Sequence, residues 1–153
     1  MSTQTIESRL VDEGAQRLVD TIGKFTSLVS QRLPDDVTNR LRELSEEEDQ
    51  PMARMIYETM VKNQNLAWDL KRPSCQDTGL VQMFMRVGTR FPYIDIMEDI
   101  LREGVTLATA QAPLRLNSVE TFDEFNTGTN TGNKSPWIYT QMIPDSDVLE
   151  VDV

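Results

Sequence analysis

The stretch RPSCQDTGLVQMFMRV, residues 72–87, marks the point at which the chain changes from helical to strand periodicity. Its first half is a polar loop between a proline and a glycine, which are typical of chain turns. In its second half, apolar residues alternate with residues that include Gln82 and Arg86, which is the pattern of a half-buried strand. The sequence therefore predicts helices before this stretch and a sheet after it. The apolar face consists of Val81, Met83, Met85 and Val87.

The residues before this stretch predict three helices. Pro34 ends the first, and Asp35 or Asp36 is expected to cap a short second helix that runs to Leu44. Residues 45–50 are interpreted as an acidic linker, and Pro51 suits the first turn of the third helix. The apolar positions of the first helix are Ile6, Leu10, Ala15, Leu18, Ile22, Phe25 and Val29. Those of the third, interpreted as adaptable core filling, are Met52, Met55, Ile56, Met60, Ala67 and Leu70.

The residues after this stretch predict one more helix and two more strands. Pro92 interrupts the strand, and Asp95 is expected to cap a helix that ends near Ala110. Residues 111–135 are irregular, whereas residues 137–143 and 148–153 are strand-like with a turn at residues 144–146. The predicted fold class is α+β, with a helical N-terminal half followed by a small β-sheet with a crossover helix. The apolar side of the helix carries Ile94, Met97, Leu101, Val105 and Ala108.

Strand alternation continues to the last residue, through Leu149, Val151 and Val153. A domain seldom ends in the middle of a strand unless another segment pairs with it. The sequence therefore predicts an incomplete domain that another chain, or more of the same chain, completes.

Composition excludes several classes of function. The chain has 153 residues, 25 acidic against 15 basic, and a net charge of −10. Nucleic-acid backbones and anionic lipid surfaces repel such a chain, so neither is an expected partner. No signal peptide or membrane-spanning run is visible. The single cysteine excludes an intrachain disulfide and suits the reducing cytoplasm. The absence of histidine excludes Ser-His-Asp and Cys-His catalysis within the chain.

Three segments could carry chemistry. Cys75 lies on the polar loop, where Arg72 favours a thiolate and Gln76 and Asp77 offer hydrogen bonds, although a lone cysteine is more often a buried structural residue. Arg115, in the segment APLRLN, could clamp a carboxylate with two parallel hydrogen bonds or be an ordinary surface residue. The segment NTGTNTGN, residues 126–133, could turn backbone N–H groups towards an anion or be a plain flexible loop.

Taken together, these segments resemble one enzyme family. RPSCQDTG, VGTRFP, APLRLNSVETFDEFNTGTNTG and SPWIYTQMIPDSD occur in the order found in the alpha chains of L(+)-tartrate dehydratases, which are iron–sulfur hydro-lyases. The related class I fumarases share the CQDTG, APLR and NTG elements. The resemblance implies a [4Fe–4S] cluster held by three cysteine thiolates, whose open iron acts as a Lewis acid on the leaving hydroxyl. It also implies the roles of the site residues: Cys75 as a cluster ligand, Gln76 and Asp77 as catalytic and substrate-contacting groups, Arg115 as a carboxylate ligand, and Asn126, Thr127 and Gly128 as lining of the site.

The implied reaction is removal of water from a hydroxy-dicarboxylic acid, foremost L(+)-tartrate to give oxaloacetate, with fumarate and malate as the alternative. Residues 1–153 would be the N-terminal portion of the alpha-type catalytic domain. Two further cluster cysteines and a beta subunit or beta-type domain would come from elsewhere in a hetero-oligomer, and the chain alone would be inactive.

Two other readings use the same residues. The chain could be an inert fragment that acts only as an interaction domain. Asp77-Thr78-Gly79 also matches the triplet of aspartic proteases, but that triplet occurs once here and the helical first half does not fit such a fold.

Overall fold

The computed structural model describes residues 9–74, 79–119, 122 and 124–153. In these residues a helical half precedes a three-stranded mixed sheet, which confirms the predicted α+β class with its crossover helix. The elements are α1 (Glu13–Gln31), α2 (Asp35–Glu47), α3 (Pro51–Leu70), β1 (Gln82–Gly88), a 3-10 turn (Ile94–Ile96), α4 (Met97–Gln111), β2 (Trp137–Ile143) and β3 (Leu149–Asp152).

The strand after the polar loop, β1, is the centre of the sheet, whose order is β2-β1-β3. β1 and β2 run parallel, with Gln82 opposite Trp137, so α4 is the crossover that a parallel pair requires. β3 runs antiparallel to β1, with Phe84 opposite Asp152. The predicted turn at residues 144–146 therefore carries the chain across the end of β1 instead of closing a hairpin.

The core lies between the inner face of the sheet, α1 and α4. The alternating residues of β1 and the apolar side of α4 are buried as the sequence predicts, and burial of each large side chain stabilises the fold by about 1.5–3 kcal/mol. α1 and α4 cross closely where Gly23 meets Gly104. A Cβ atom on Gly104 would lie 2.5 Å from Cγ2 of Ile22, so the crossing requires a residue without a side chain there.

The predicted helix caps are wrong at two places. Asp35 and Asp36 lie inside the first turn of α2, behind Pro34 at the cap position, and Asp35 forms an ion pair with Arg32. Asp95 lies in the 3-10 turn and forms an ion pair with Arg9. In both cases the carboxylate pairs with an arginine side chain. A prediction of helix caps from the neighbouring sequence does not include such an arginine.

A different carboxylate caps α1, which follows a short helical stretch at residues 9–10, whereas Ile6 of the predicted first helix lies outside the described residues. Asp12 Oδ2 accepts hydrogen bonds from the backbone N–H groups of Gly14 at 3.0 Å and Ala15 at 3.4 Å. The hydroxyl of Tyr93 donates a third hydrogen bond to the same oxygen, at 2.5 Å. Asp12 therefore ties the start of α1 to the loop after β1.

The predictions for the second and third helices need two corrections. The acidic stretch is not a linker up to Gln50, because α2 continues to Glu47, where Arg40 bridges Glu43 and Glu47. Pro51 is at the first turn of α3, as predicted. The apolar residues of α3 are not core filling, however: all but Ala67 are exposed, because α3 packs on α2 through another side of the helix.

Candidate functional site

An open pocket of about 820 Å³ lies where α1, the start of β1 and the irregular segment after α4 meet. Residues on both sides of the undescribed segment 75–78 contribute to its wall. The wall consists of Thr26, Val29, Ser30, Arg72, Pro73, Ser74, Gly79, Leu80, Val81, Gln82, Phe84, Pro113, Leu114, Arg115, Asn117, Asn130 and Val153.

The charged side chains of this wall all have one sign. Arg72 and Arg115 contribute guanidinium groups, and the described part of the wall contains no Asp or Glu side chain. Both arginines are exposed, and neither forms an ion pair with another described residue. Among the side chains that the structure describes, this pocket therefore concentrates positive charge in a chain with a net charge of −10, which favours a small anion.

Asn117 connects the two arginine-bearing segments. Its side-chain Nδ2 donates a hydrogen bond of 2.8 Å to the carbonyl oxygen of Gly79, which directly follows segment 75–78. Its backbone N–H donates to Oδ1 of Asn130 at 2.9 Å. Because Arg115 lies only two residues before Asn117, these bonds fix the segment of Arg115 against the end of the polar loop.

Asn130 is itself held by a buried polar network. Its backbone has a left-handed φ of 58°, which asparagine tolerates better than most residues, and its Nδ2 lies 3.3 Å from Oγ1 of Thr109 in α4. The hydroxyl of Ser135 donates to the carbonyl oxygen of Asn130 at 3.0 Å and lies 3.0 Å from the hydroxyl of Ser118. All four side chains are buried, so the network gives the irregular segment a defined position on α4.

The three residues of the NTG turn that were predicted to line the site form hydrogen bonds with the backbone of the segment that follows Arg115. Asn126 Nδ2 donates to the carbonyl oxygen of Leu116 at 2.8 Å, and Asn126 Oδ1 accepts from the N–H of Gly128, whose φ is 75°. The N–H of Thr127 donates to the carbonyl oxygen of Ser118 at 3.1 Å. None of the three belongs to the described wall of the pocket, so their contact with substrate stays a prediction.

Cys75, Gln76 and Asp77 lie outside the described residues, and their roles also stay predictions. Among the residues that the structure does describe, no group of three His, Cys, Asp or Glu side chains could hold a metal ion. The chain contains one cysteine, whereas the expected cluster needs three thiolates. The donor set for that cluster is therefore incomplete within these 153 residues.

Asn117 and Asn130 lie in two of the candidate segments, APLRLN and NTGTNTGN, but the sequence assigned no role to either residue. Both occur within the long motif that carries the resemblance, but short polar residues in an irregular segment are also typical of ordinary turns. Position was the available clue for both residues. Asn117 follows the candidate Arg115 by two residues, and Asn130 lies within the NTG-rich segment.

The chain belongs to the fumarate hydratase family. The family described as "Fumarate hydratase (Fumerase)" matches residues 19–153. Among similar proteins is the L(+)-tartrate dehydratase subunit alpha of Escherichia coli strain K12, which is 45% identical over 141 residues, or 92% of this chain and 46% of that protein. A putative L(+)-tartrate dehydratase subunit alpha of Methanocaldococcus jannaschii is 35% identical over 108 residues, 69% of this chain and 38% of that protein.

The chain thus spans about half the length, 46%, of the Escherichia coli relative that it matches. The names of both relatives designate one subunit of a larger enzyme. In the described ranges, no helix has both the length and the apolar character needed to cross a membrane.

Proposed function

We propose that this chain forms the carboxylate-binding part of the active site of a hydro-lyase that removes water from a hydroxy-dicarboxylic acid. The observation that carries the proposal is the pocket whose described wall holds two arginines and no acidic side chain, neither arginine being paired with a described carboxylate. Membership of the fumarate hydratase family supports this reaction class. The relatives named L(+)-tartrate dehydratase subunit alpha favour tartrate as the substrate.

Arg115 is the proposed ligand of one substrate carboxylate. A guanidinium can donate two parallel hydrogen bonds to a carboxylate, which fixes both the position and the plane of the bound group. Asn126 and Asn130 bind the two polar groups of the peptide bond between Leu116 and Asn117, and Asn117 binds Gly79, so the segment that carries Arg115 is held in place before substrate arrives. Such preorganisation reduces the entropy that substrate binding costs.

Arg72 is the second positive group, and it precedes the thiol-bearing segment by three positions. A neighbouring guanidinium favours the thiolate form of a cysteine, which is the form that binds iron. We propose that Cys75 supplies one ligand of an iron–sulfur cluster and that Gln76 and Asp77 contact and orient the substrate. The remaining ligands, and a beta-type partner, come from outside these 153 residues, and the proposed location is the cytoplasm.

Fumarate and malate form the second candidate substrate pair, because the family description names fumarate hydratase. The complete enzyme, with the full alpha-type chain and its partner, separates the candidates. Under anaerobic conditions we expect a higher kcat/KM for L(+)-tartrate, measured as oxaloacetate formation, than for fumarate, measured by its ultraviolet absorbance. A higher kcat/KM for fumarate would replace the tartrate assignment, and no turnover of either acid by cluster-loaded enzyme would contradict the hydro-lyase proposal.

A further inference from the structure

Helix α1 contributes three residues to the wall of the pocket at helical spacing. Thr26, Val29 and Ser30 belong to the wall, and residues three and four positions apart lie on the same side of a helix. The carbonyl oxygen of Ser30 accepts a hydrogen bond of 2.9 Å from the backbone N–H of Ser74, which directly precedes segment 75–78. This bond ties α1 to the start of that segment, and Thr26 lies one helical turn, about 6 Å, from it.

The hydroxyl of Thr26 is buried and has no hydrogen-bond partner among the described residues. Only 4% of the residue is exposed, and its Oγ1 neither donates nor accepts a hydrogen bond within the described chain. Three other helical threonines, Thr21, Thr59 and Thr109, each donate to the carbonyl oxygen four positions earlier, at 2.7, 2.7 and 2.8 Å. Thr26 lacks this bond although it lies in the interior of α1. A buried hydroxyl without a partner costs free energy, so its place in a pocket wall is consistent with a partner that comes from a ligand.

The next residue of α1 provides a contrast. Oγ of Ser27 is also buried and without a partner among the described residues, but Ser27 does not belong to the described wall of the pocket. Consecutive residues of a helix are 100° apart, so its side chain leaves α1 in a different direction from that of Thr26. The two residues therefore separate the effect of an unpartnered hydroxyl from the effect of its position in the pocket.

The chemistry of the Thr26 side chain suits a substrate hydroxyl. The arginines of the wall suit carboxylates, whereas a threonine offers one neutral group that both donates and accepts a hydrogen bond. Threonine populates two χ1 rotamers in helices, so rotation about Cα–Cβ can turn Oγ1 towards a ligand without moving α1. Tartrate has two hydroxyl groups, of which dehydration removes one. Malate lacks the group that tartrate keeps, and fumarate has no hydroxyl.

We infer that Oγ1 of Thr26 binds the hydroxyl group that tartrate keeps, and that it thereby selects tartrate over malate and fumarate. This inference rests on the proposed function and adds to it a residue that determines specificity. A site that forms a hydrogen bond with a substrate hydroxyl discriminates against an analogue without that group, because the protein group is then left buried and unpaired.

The test compares Thr26→Val with wild type in the complete enzyme, loaded with iron under anaerobic conditions. Valine keeps the branched shape and replaces the hydroxyl with a methyl group. We expect kcat/KM for L(+)-tartrate to fall at least about tenfold. The competitive inhibition constant of D-malate, which is L(+)-tartrate without one hydroxyl group, should be unchanged.

Matched variants separate binding from folding. Thr26→Ser keeps the hydroxyl and should retain the preference for tartrate, whereas Thr26→Ala should lose it as Thr26→Val does. Ser27→Ala removes the neighbouring unpartnered hydroxyl outside the wall and should leave both constants unchanged. Because Thr26→Val also removes an unpartnered buried hydroxyl, its thermal midpoint should equal or exceed that of wild type. A loss of tartrate turnover in a variant of undiminished stability reports a lost contact with substrate.

The outcomes distinguish this inference from the proposed function. An unchanged kcat/KM for tartrate in Thr26→Val or Thr26→Ala would overturn the inference and leave the hydro-lyase proposal intact. Equal weakening of tartrate turnover and D-malate binding would also overturn it, because the lost contact would then not involve the additional hydroxyl. No tartrate turnover by cluster-loaded wild type would contradict the tartrate assignment itself, and the inference with it.

Discussion

The side-chain amide of Asn117 donates a hydrogen bond of 2.8 Å to the carbonyl oxygen of Gly79, a residue 38 positions earlier in the chain. This bond joins the end of the thiol-bearing loop to the segment that carries Arg115. The two segments that carry the arginines of the pocket are therefore distant in sequence, and the site depends on their alignment.

Asn117→Asp tests this alignment with almost no change in shape. Aspartate keeps an acceptor but loses the Nδ2 donor and brings a negative charge towards the carbonyl oxygen of Gly79. We expect a loss of unfolding free energy of about 0.5–1.5 kcal/mol, the usual worth of one hydrogen bond, measured by urea denaturation. Asn39→Asp, at an exposed position in α2, is the matched control and should be near neutral. Equal stability of Asn117→Asp and wild type would show that the bond does not hold the two segments together.

Stability at acidic pH should depend on the contact between Asp12 and Tyr93. The hydrogen bond from Tyr93, followed by that from the N–H of Ala15, lowers the pKa of Asp12 below its ordinary value of 3.8. A lowered carboxyl pKa contributes stability that is present above the ordinary value and is lost as the pH falls through the lower folded value. Hydrogen bonding to Asp12 raises the pKa of Tyr93 above 10.0, so the tyrosine's contribution is present below pH 10 and is lost as the pH rises through the folded value.

Tyr93→Phe removes this contact and leaves the ring. The urea midpoint of wild type should exceed that of Tyr93→Phe near neutral pH, and the difference should shrink below about pH 4 and above about pH 10. Tyr57→Phe, on α3, controls for loss of a tyrosine hydroxyl in general. A difference between wild type and Tyr93→Phe that stays constant from pH 7 to pH 3 would contradict the role given to Asp12.

The close crossing of α1 and α4 should make substitutions of Gly104 increasingly destabilising as the side chain becomes larger. Alanine favours a helix interior by about 1 kcal/mol over glycine, but its Cβ would lie 2.5 Å from Cγ2 of Ile22 and 3.4 Å from the backbone nitrogen of Gly23. Overpacking typically costs about 1–3 kcal/mol, so Gly104→Ala should be neutral to destabilising by about 2 kcal/mol, and Gly104→Val more so. Gly132→Ala, where the nearest atom to a new Cβ is 3.9 Å away, is the control. A stabilised Gly104→Val variant in thermal unfolding would refute the tight crossing.

The proposed ligand role of Cys75 predicts how a serine behaves at that position in the complete enzyme. A hydroxyl is a poor ligand for iron beside soft sulfide, so Cys75→Ser should lower the iron content and abolish dehydration. An inert structural cysteine predicts a different outcome: a loss of stability of about 1–3 kcal/mol with activity retained in the folded enzyme. Iron analysis and turnover, measured on the same sample, separate the two. Full iron content with wild-type turnover would exclude Cys75 as a ligand.

The periodicity of apolar residues was sufficient to predict the helices and strands that bury one face in the core. The alternation of β1 and the apolar side of α4 place their residues in the core as predicted, because each element has a single buried side. The same reasoning was wrong for α3, whose apolar residues are exposed. A periodic apolar stripe indicates that a face avoids water, but it does not indicate which molecule covers that face.

The candidate site was predictable only in part. Arg115 lies in the wall of the pocket, but the tethers that position it join residues far apart in sequence, such as Asn117 with Gly79. An asparagine in an irregular segment has the same local signature whether it caps a turn or crosses to another segment. The caps predicted at Asp35 and Asp95 were wrong for a related reason, since arginines outside the capping motif bind these carboxylates.

The most direct test of the pocket as a carboxylate site is the kinetics of Arg115→Lys in the complete enzyme. Lysine keeps the positive charge but lacks the two-pronged geometry, and loss of a charge-assisted hydrogen bond costs about 1.5–3 kcal/mol. We therefore predict a decrease of about 10- to 150-fold in kcat/KM for the diacid substrate, with the iron content of wild type. Arg42→Lys, at an exposed position of α2 outside the pocket, should match wild type. An unchanged kcat/KM for Arg115→Lys would contradict the proposed role of this pocket.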